Sequence, residues 1–241
     1  MATARFLFHG PLSGLLSRER RGIAFASACG RAATLKNAIE ALGVPHTEAA
    51  RIAVNGEPAT LARIVREGDE IEVFPWDRVS GPQPIPEGGF IADAHLGGLA
   101  RFLRMLGFDT LYDNGIDDAR LRRLAHEEQR LVLSRDRELL KCRDILRGCF
   151  VYALKPEEQL AEVTARFDLA AHARPFTRCL HCNRPLAPVA KAEIIDRLPP
   201  QVAAYQDEFT RCMTCDRVYW PGTHYDRMRT VLARVLAQDS K

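Results

Sequence analysis

The sequence predicts a multidomain protein of mixed α/β and α+β class. Its expected parts are an amino-terminal unit with a β-grasp order of elements, a central α/β domain with a mostly parallel sheet, and a carboxy-terminal zinc ribbon. Three observations predict this. Short strand-like runs separated by turn signals fill residues 1–78, strands alternate with helices from Phe90 onward, and two Cys-x-x-Cys pairs follow near the carboxy end. A chain of 241 residues has room for two or three such domains, each with its own core.

In the first unit, "ARFLFH" and "RIAVNG" read as strands, "TLKNAIEALG" as a helix with a Thr cap and a terminal Gly, and "REGDEIEVFP" as a turn into a last strand. The segment "VNGEPATLARIVREGDEIEVFPWD" resembles the ubiquitin-like sulfur carriers of the thiamine and molybdopterin pathways, with an Asn-Gly turn and a Gly-Asp before the last strand. Those carriers act through a free diglycine end, whereas Gly88 and Gly89 lie inside this chain. The unit is therefore expected to be a binding or folding module able to meet a protein partner. The diglycine is expected to end a flexible linker at 79–89, within the stretch "RVSGPQPIPEGG" that begins at Arg78.

The domain at 90–172 reads as four strand and helix pairs: "FIAD" with "GGLARFLRML", "DTLYD" with "DDARLRRLAHEEQR", "LVLS" with "RELLKC", and "CFVYAL" with "PEEQLAEVTARF". Alternation of this kind implies right-handed crossovers and parallel strands, with ligands at the strands' carboxyl ends. Acidic residues collect at those ends. Asp93 follows the first strand, Asp113 ends the second, Asp117 and Asp118 open the next helix, and Asp136 follows the third strand. A cap explains one aspartate; a set on successive strand ends points to a hard divalent cation, Mg²⁺ or Mn²⁺, and to phosphodiester hydrolysis. Arg101, Arg104, Arg135, Arg137 and Lys141 are spaced to reach a phosphate backbone, although an Arg on an amphipathic helix is more often a solvated face residue. For the acids the competing reading is capping, with Asp118 capping the helix from Ala119 and Asp136 capping "RELLKC".

The residues "DAHLGGLARFLRMLGFDTLY", "DDARLRRLA" and "LVLSRDRELL" resemble a PIN-like ribonuclease domain of the Mut-seven carboxy-terminal RNase type. The resemblance implies metal-dependent RNA hydrolysis that leaves a 3′-hydroxyl and a 5′-phosphate. Its acids match Asp93, Asp118 and Asp136, and a fourth is open among Asp117, Asp113, Glu138 and Asp144. Relatives often carry an acid or Asn after the first aspartate, where this chain has Ala94 and His95. The alternative is a non-catalytic RNA- or ribosome-binding adaptor with a degenerate PIN-like domain.

In the final segment, 173–241, "RCLHCNRPL" and "RCMTCDRVYW" supply Cys179, Cys182, Cys212 and Cys215. Two Cys-x-x-Cys knuckles can place four thiolates tetrahedrally on one Zn²⁺, and four protein ligands leave no open position, so the ion is expected to be structural. The stretch "KAEIIDRLPPQVAAYQDEF" between the pairs reads as a helical insertion. "VYWPGTHYDRMR" then interleaves Trp220, His224 and Arg227 with other aromatics and arginines, a pattern suited to stacking on unpaired bases and contacting phosphate; packing of Trp220 against the ribbon is the competing reading. The same family resemblance covers this motif.

Net charge is only +3, with the middle slightly acidic and the carboxy-terminal part basic. No apolar run approaches the roughly 20 residues of a membrane span, and the amino end turns polar too soon for a secretory signal. A cytoplasmic location is therefore expected, and in a reducing compartment seven cysteines, four of them in two Cys-x-x-Cys pairs, favour metal over disulfide. Cys29, Cys142 and Cys149 are read as buried small hydrophobes.

Overall fold

The computed structural model describes residues 1–77 and 80–238; the side chains at 223, 224, 227, 237 and 238 lie outside the described residues. In chain order the elements are β1 (Ala2–Phe8), β2 (Phe25–Cys29), α1 (Leu35–Ala41), β3 (Arg51–Val54), β4 (Glu57–Ala59), β5 (Glu70–Phe74), β6 (Phe90–Ala92), α2 (Gly97–Met105), β7 (Thr110–Leu111) and α3 (Asp118–Glu127). They continue with β8 (Leu131–Ser134), α4 (Arg137–Leu140), β9 (Gly148–Phe150), α5 (Pro156–Phe167), β10 (Ala187–Pro188), α6 (Lys191–Ile194), α7 (Pro200–Tyr205), β11 (Thr210–Arg211), β12 (Val218–Tyr219) and α8 (Thr223–Gln238). An amino-terminal mixed sheet, parallel central strands and a carboxy-terminal cysteine cluster make up the multidomain class expected from sequence.

Two compact units divide the chain: Met1–Pro86 with Asp117–Val151, and Glu87–Ile116 with Tyr152–Lys241. In the first unit a five-stranded sheet of order β2-β1-β5-β3-β4 places β1 parallel to β5 and antiparallel to β2. Alternating residues explain its buried face. Phe6, Phe8, Ile52, Val54, Ile71 and Val73 are buried, as are Leu35 and Ile39 of α1. Thr34 caps α1, its hydroxyl accepting from the Asn37 N–H at 3.3 Å. The turn joining β3 to β4 runs through Asn55 and Gly56, both at positive φ (55° and 83°), as a two-residue hairpin requires. Asp69 ties this turn to its neighbour. Its buried carboxylate accepts from Arg63 (2.7 and 3.0 Å), the Arg66 N–H (2.8 Å) and Asn55 (3.1 Å). The Arg63 guanidinium, with help from those other donors against burial, holds Asp69 down to about 2.

The second stretch of this unit carries α3, β8, α4 and β9, with β8 parallel to β9 (Leu133 opposite Cys149). Side chains from the amino-terminal stretch satisfy the backbone of and before β9. Glu48, only 2% exposed, accepts from the Phe150 N–H at 2.8 Å; the buried Gln83 amide donates to Gly148 O at 3.2 Å; and His46 Nε2 lies 3.0 Å from Ile145 O. A β-strand edge left unmet would invite pairing with another chain, so these bonds protect it.

In the second unit β6 runs parallel to β7, with Ile91 opposite Leu111. Phe90 meets Phe167 of α5 edge-on at 5.3 Å, and Leu99, Leu103, Leu160 and Val163 complete a buried core. Close packing dictates the two glycines that open α2. A side chain at Gly97 would collide with the Tyr112 ring (2.5 Å), and one at Gly98 with Pro156 (2.6 Å). Gly89 is equally constrained, at φ +73° with an added Cβ only 2.3 Å from Asp109 O. The diglycine expected to end a flexible linker is thus a packed approach to β7, because the chain enters β6 pressed against Asp109.

Beyond α5, a three-stranded antiparallel sheet of order β10-β11-β12 forms the ribbon. The expected helical insertion is α6 and α7, and it buries Ile194, Leu198 and Phe209 in a small core of its own. Among the described residues no helix is long and apolar enough to cross a membrane.

Candidate metal centre and acidic residues

The four cysteines converge. Their Sγ atoms all lie within 4.8 Å of one another, with Cys179 to Cys215 at 3.5 Å and Cys182 to Cys212 at 3.3 Å. These spacings far exceed a disulfide bond of about 2.05 Å, and suit sulfurs arranged around a common centre. The two knuckles share a backbone design. Cys179 N–H donates to Arg184 O (2.8 Å) and Asn183 N–H to Cys179 O (2.9 Å); Cys212 N–H donates to Arg217 O and Asp216 N–H to Cys212 O, both at 2.9 Å. Each loop closes through a left-handed residue after its second cysteine, Asn183 at φ 66° and Asp216 at φ 58°, residue types that tolerate that region.

Burial pushes the Cys179 thiol up, but the Cys182 N–H, the Tyr219 hydroxyl (3.1 Å from Sγ) and the His181 N–H outweigh it and bring Cys179 to about 6. Backbone N–H groups of Cys215 and Thr214 likewise outweigh burial at Cys212. Burial dominates at Cys182, raised to about 12, and at Cys215. In each knuckle the N–H donors thus favour the anionic sulfur at the first cysteine. A sulfur-only donor set, shielded and supplied with N–H donors, fits a soft or borderline ion such as zinc.

The first knuckle is built into the second unit. Arg104 of α2, 6% exposed, donates from Nε to Thr110 O (2.9 Å) and from Nη1 to Leu180 O (3.2 Å) and His181 O (3.0 Å). Asn183 accepts the Thr110 N–H (3.0 Å) and donates to Asp109 Oδ1 (2.9 Å), while Arg178 bonds Gly107 O, Asn183 O and Asp109. Arg104 was expected to meet phosphate. It does not lie on the surface: Ala100, Leu103 and Arg104 share the buried face of α2, and the guanidinium is consumed by three carbonyls. Burial lowers its pKa, and the Cys179 and Cys182 sulfurs, as anions, oppose that.

The acidic residues fall on both units. In the second, Asp93 is 7% exposed and caps the turn after β6, Oδ1 accepting from the His95 N–H at 2.8 Å; exposed Asp113 accepts from the Gly115 N–H at 2.9 Å. In the first, Asp117 rather than Asp118 caps α3, because Asp117 is extended (φ −83°, ψ 161°) and accepts from the Arg120 N–H at 2.7 Å. Asp118 is the first helical residue, and is exposed. Asp136 caps α4 by accepting from Glu138 and Leu139, and its own N–H donates to Ser134 Oγ at 2.9 Å. Asp144 is held by Arg122 in a forked pair (2.8 and 2.9 Å). Burial raises the Cys142 thiol, Arg122 opposes, and the fields of Asp144, Asp118 and Asp136 add to the rise. Three carboxylates of the first unit thus act electrostatically on one thiol, while among the described residues only the four cysteines come close enough together to share an ion.

Of the remaining basic and aromatic candidates, Arg101 is exposed on α2, Arg135 is half-buried beside Asp136, and Lys141 pairs with Glu138 at 2.7 Å. Trp220 packs against Phe209 (centroids 6.5 Å apart) and stays half-exposed. The side chains of His224 and Arg227 lie outside the described residues. Sequence reasoning missed Asn183 and the role of Arg104. The signals were an Asn directly after a Cys-x-x-Cys, where a left-handed residue is needed, and an Arg four residues beyond Ala100 on an apolar face.

The chain thus joins a ribbon with a four-sulfur centre to α/β elements with acidic residues at their strand ends. Residues 88–232 match the family described as the Mut7-C RNAse domain, and residues 1–80 match the Mut7-C ubiquitin domain. The chain belongs to the Mut7-C RNase family, with a ubiquitin-like domain at its amino end. No curated protein and no solved structure matches it.

Proposed function

We propose that the protein is a metal-dependent ribonuclease in which Asp93, Asp118 and Asp136 supply the carboxylates for Mg²⁺ or Mn²⁺ and the four cysteines hold a structural Zn²⁺. The observation that carries this reading is that the chain's greater part matches an RNase domain, and Asp118, Asp136 and Asp144 all bear electrostatically on one thiol, Cys142. Carboxylates brought close together repel, and a hard divalent ion relieves the repulsion. When bound, such an ion supplies an activated water and neutralises charge at the leaving oxygen. The chain's own residues hold the geometry. The Glu138 and Leu139 N–H groups and the Ser134 hydroxyl fix Asp136, and Arg122 restrains Asp144, so Asp144 is a supporting acid rather than a primary ligand. RNA is the substrate class, held in part by the basic ribbon, and hydrolysis leaves a 3′-hydroxyl and a 5′-phosphate. The ubiquitin-like domain is suited to a protein partner, and we place the protein in the cytoplasm.

Separate Asp118→Asn and Asp136→Asn proteins test this on labelled RNA. Each is expected to lose at least about 100-fold in cleavage rate, a loss of roughly 2.7 kcal/mol of transition-state stabilisation, with circular dichroism unchanged. Full turnover in either variant removes that residue from the mechanism.

A further inference from the structure

Resting on the ribonuclease reading, we propose that the ribbon carries a nucleobase pocket, a site that takes one unpaired base of the RNA strand. A cavity of about 660 Å³ opens between the ribbon sheet and α8, lined by Phe176, Phe209, Trp220, Tyr225 and Met228. This volume is in the range of small-molecule sites, which bury most of their ligand against apolar and aromatic walls. The aromatic walls are half-exposed rather than sealed: Phe176 and Tyr225 lie 4.2 Å apart at 37°, and neither they nor Trp220 is fully buried.

What selects a base over another apolar guest is the polar surround. Asp207, which Lys191 meets at 3.0 Å, and Glu208 stand at the rim, and the Glu208 carboxylate is suited to accept from the exocyclic amine of a base edge. Trp220 also borders a second depression that carries Arg197, Asp216 and Arg217, where Asp216 holds Arg197 at 3.1 Å and Arg217 adds a further cation, so one indole separates an aromatic pocket from a surface with net positive charge. A nucleotide has that same division, a flat π-face joined to an anion. Stacking in the pocket with the adjoining phosphate toward Arg217 uses both halves, whereas an apolar peptide uses one.

The test uses the full-length, zinc-loaded Asp136→Asn chain without Mg²⁺ or Mn²⁺, at about 0.15 M salt, so that binding is read without cleavage. The probes are a single-stranded RNA decamer with a central 2-aminopurine and the same RNA with an abasic nucleotide there. Binding is expected to quench the 2-aminopurine, and the abasic RNA to bind at least about tenfold more weakly, the scale of one base stacked on aromatics. Trp220→Ala and Tyr225→Ala should each abolish the quench, with Trp220→Phe retaining it. Since Trp220 packs on Phe209, the Tyr225 variant answers should Trp220→Ala misfold.

Equal affinity for the two RNAs, or a quench that survives Tyr225→Ala, overturns the pocket. The two readings fail separately. Metal-dependent cleavage by the parent chain combined with indifference to the abasic RNA overturns the pocket alone, and base-dependent quenching with no cleavage by the parent overturns the nuclease alone.

Discussion

The two cysteine knuckles have matched backbones and opposite surroundings. The first closes on Asn183, 5% exposed, which bonds the Thr110 amide and Asp109; the second closes on Asp216, an exposed residue that meets Arg197 at 3.1 Å and Arg211 at 2.5 Å. Metal geometry requires only a left-handed residue at this place, and both Asn and Asp provide it. What differs is the second task. Asn183 has both a donor and an acceptor and can satisfy a buried amide and a carboxylate together, whereas Asp216 has only acceptors and sits where two arginines are wet. The first knuckle is thus part of the fold around β7, and the second is a surface clasp.

This contrast predicts graded effects. Largest is loss of a sulfur: Cys179→Ser and Cys212→Ser should both lower bound zinc from about one ion per chain toward none. Hydrogen exchange separates them, with the Thr110 amide losing protection more in Cys179→Ser than in Cys212→Ser. Equal exchange in the two would break the comparison. Next, Arg104→Met keeps an apolar stem but leaves three carbonyls without their donor, and should cost about 3 kcal/mol in denaturant unfolding. A cost below about 1 kcal/mol would mean that water replaces the guanidinium.

An isosteric exchange sharpens the point further. Asn183→Asp removes the donor to Asp109 and sets two carboxylates face to face in a buried place, so a loss of about 2 kcal/mol is expected. Smallest is Asp216→Asn, which preserves left-handed tolerance and gives up only exposed ion pairs; its melting temperature should stay within about 2 °C of the parent. A drop as large as that of Asn183→Asp would show the second knuckle to be equally built in.

Much of this was legible in the residues. The strand and helix alternation from Phe90, the Thr34 cap, the Asn55-Gly56 turn and the four-cysteine set all follow from local chemistry, which acts within a few residues of itself. What was not legible depends on tertiary contact. Nothing near Gly89 announces Asp109, and nothing near Glu48 or Gln83 announces that their side chains serve the backbone of β9. Asp117 and Asp118 present the same side chain one residue apart, so only the observed φ and ψ decide which one caps. Arg104 was readable in principle, since the i+4 spacing from Ala100 puts it on the apolar face; its charge drew the reading toward phosphate instead. Among the acids, the sequence shows their strand-end pattern, and the forked Arg122 pair that holds Asp144 comes only from the fold.

The central claim is metal-dependent RNA cleavage by strand-end carboxylates, and one assay addresses it most directly. End-labelled single-stranded and structured RNAs are incubated with zinc-loaded wild-type protein and with identically purified Asp93→Asn protein, in Mn²⁺, in Mg²⁺ and with neither. The account predicts cutting by the wild type alone and only with the added ion, leaving 5′-phosphate ends. Absence of cutting under every condition while RNA binding persists in both proteins would contradict it, and would leave Asp93 as the cap of the turn after β6 in an RNA-binding adaptor.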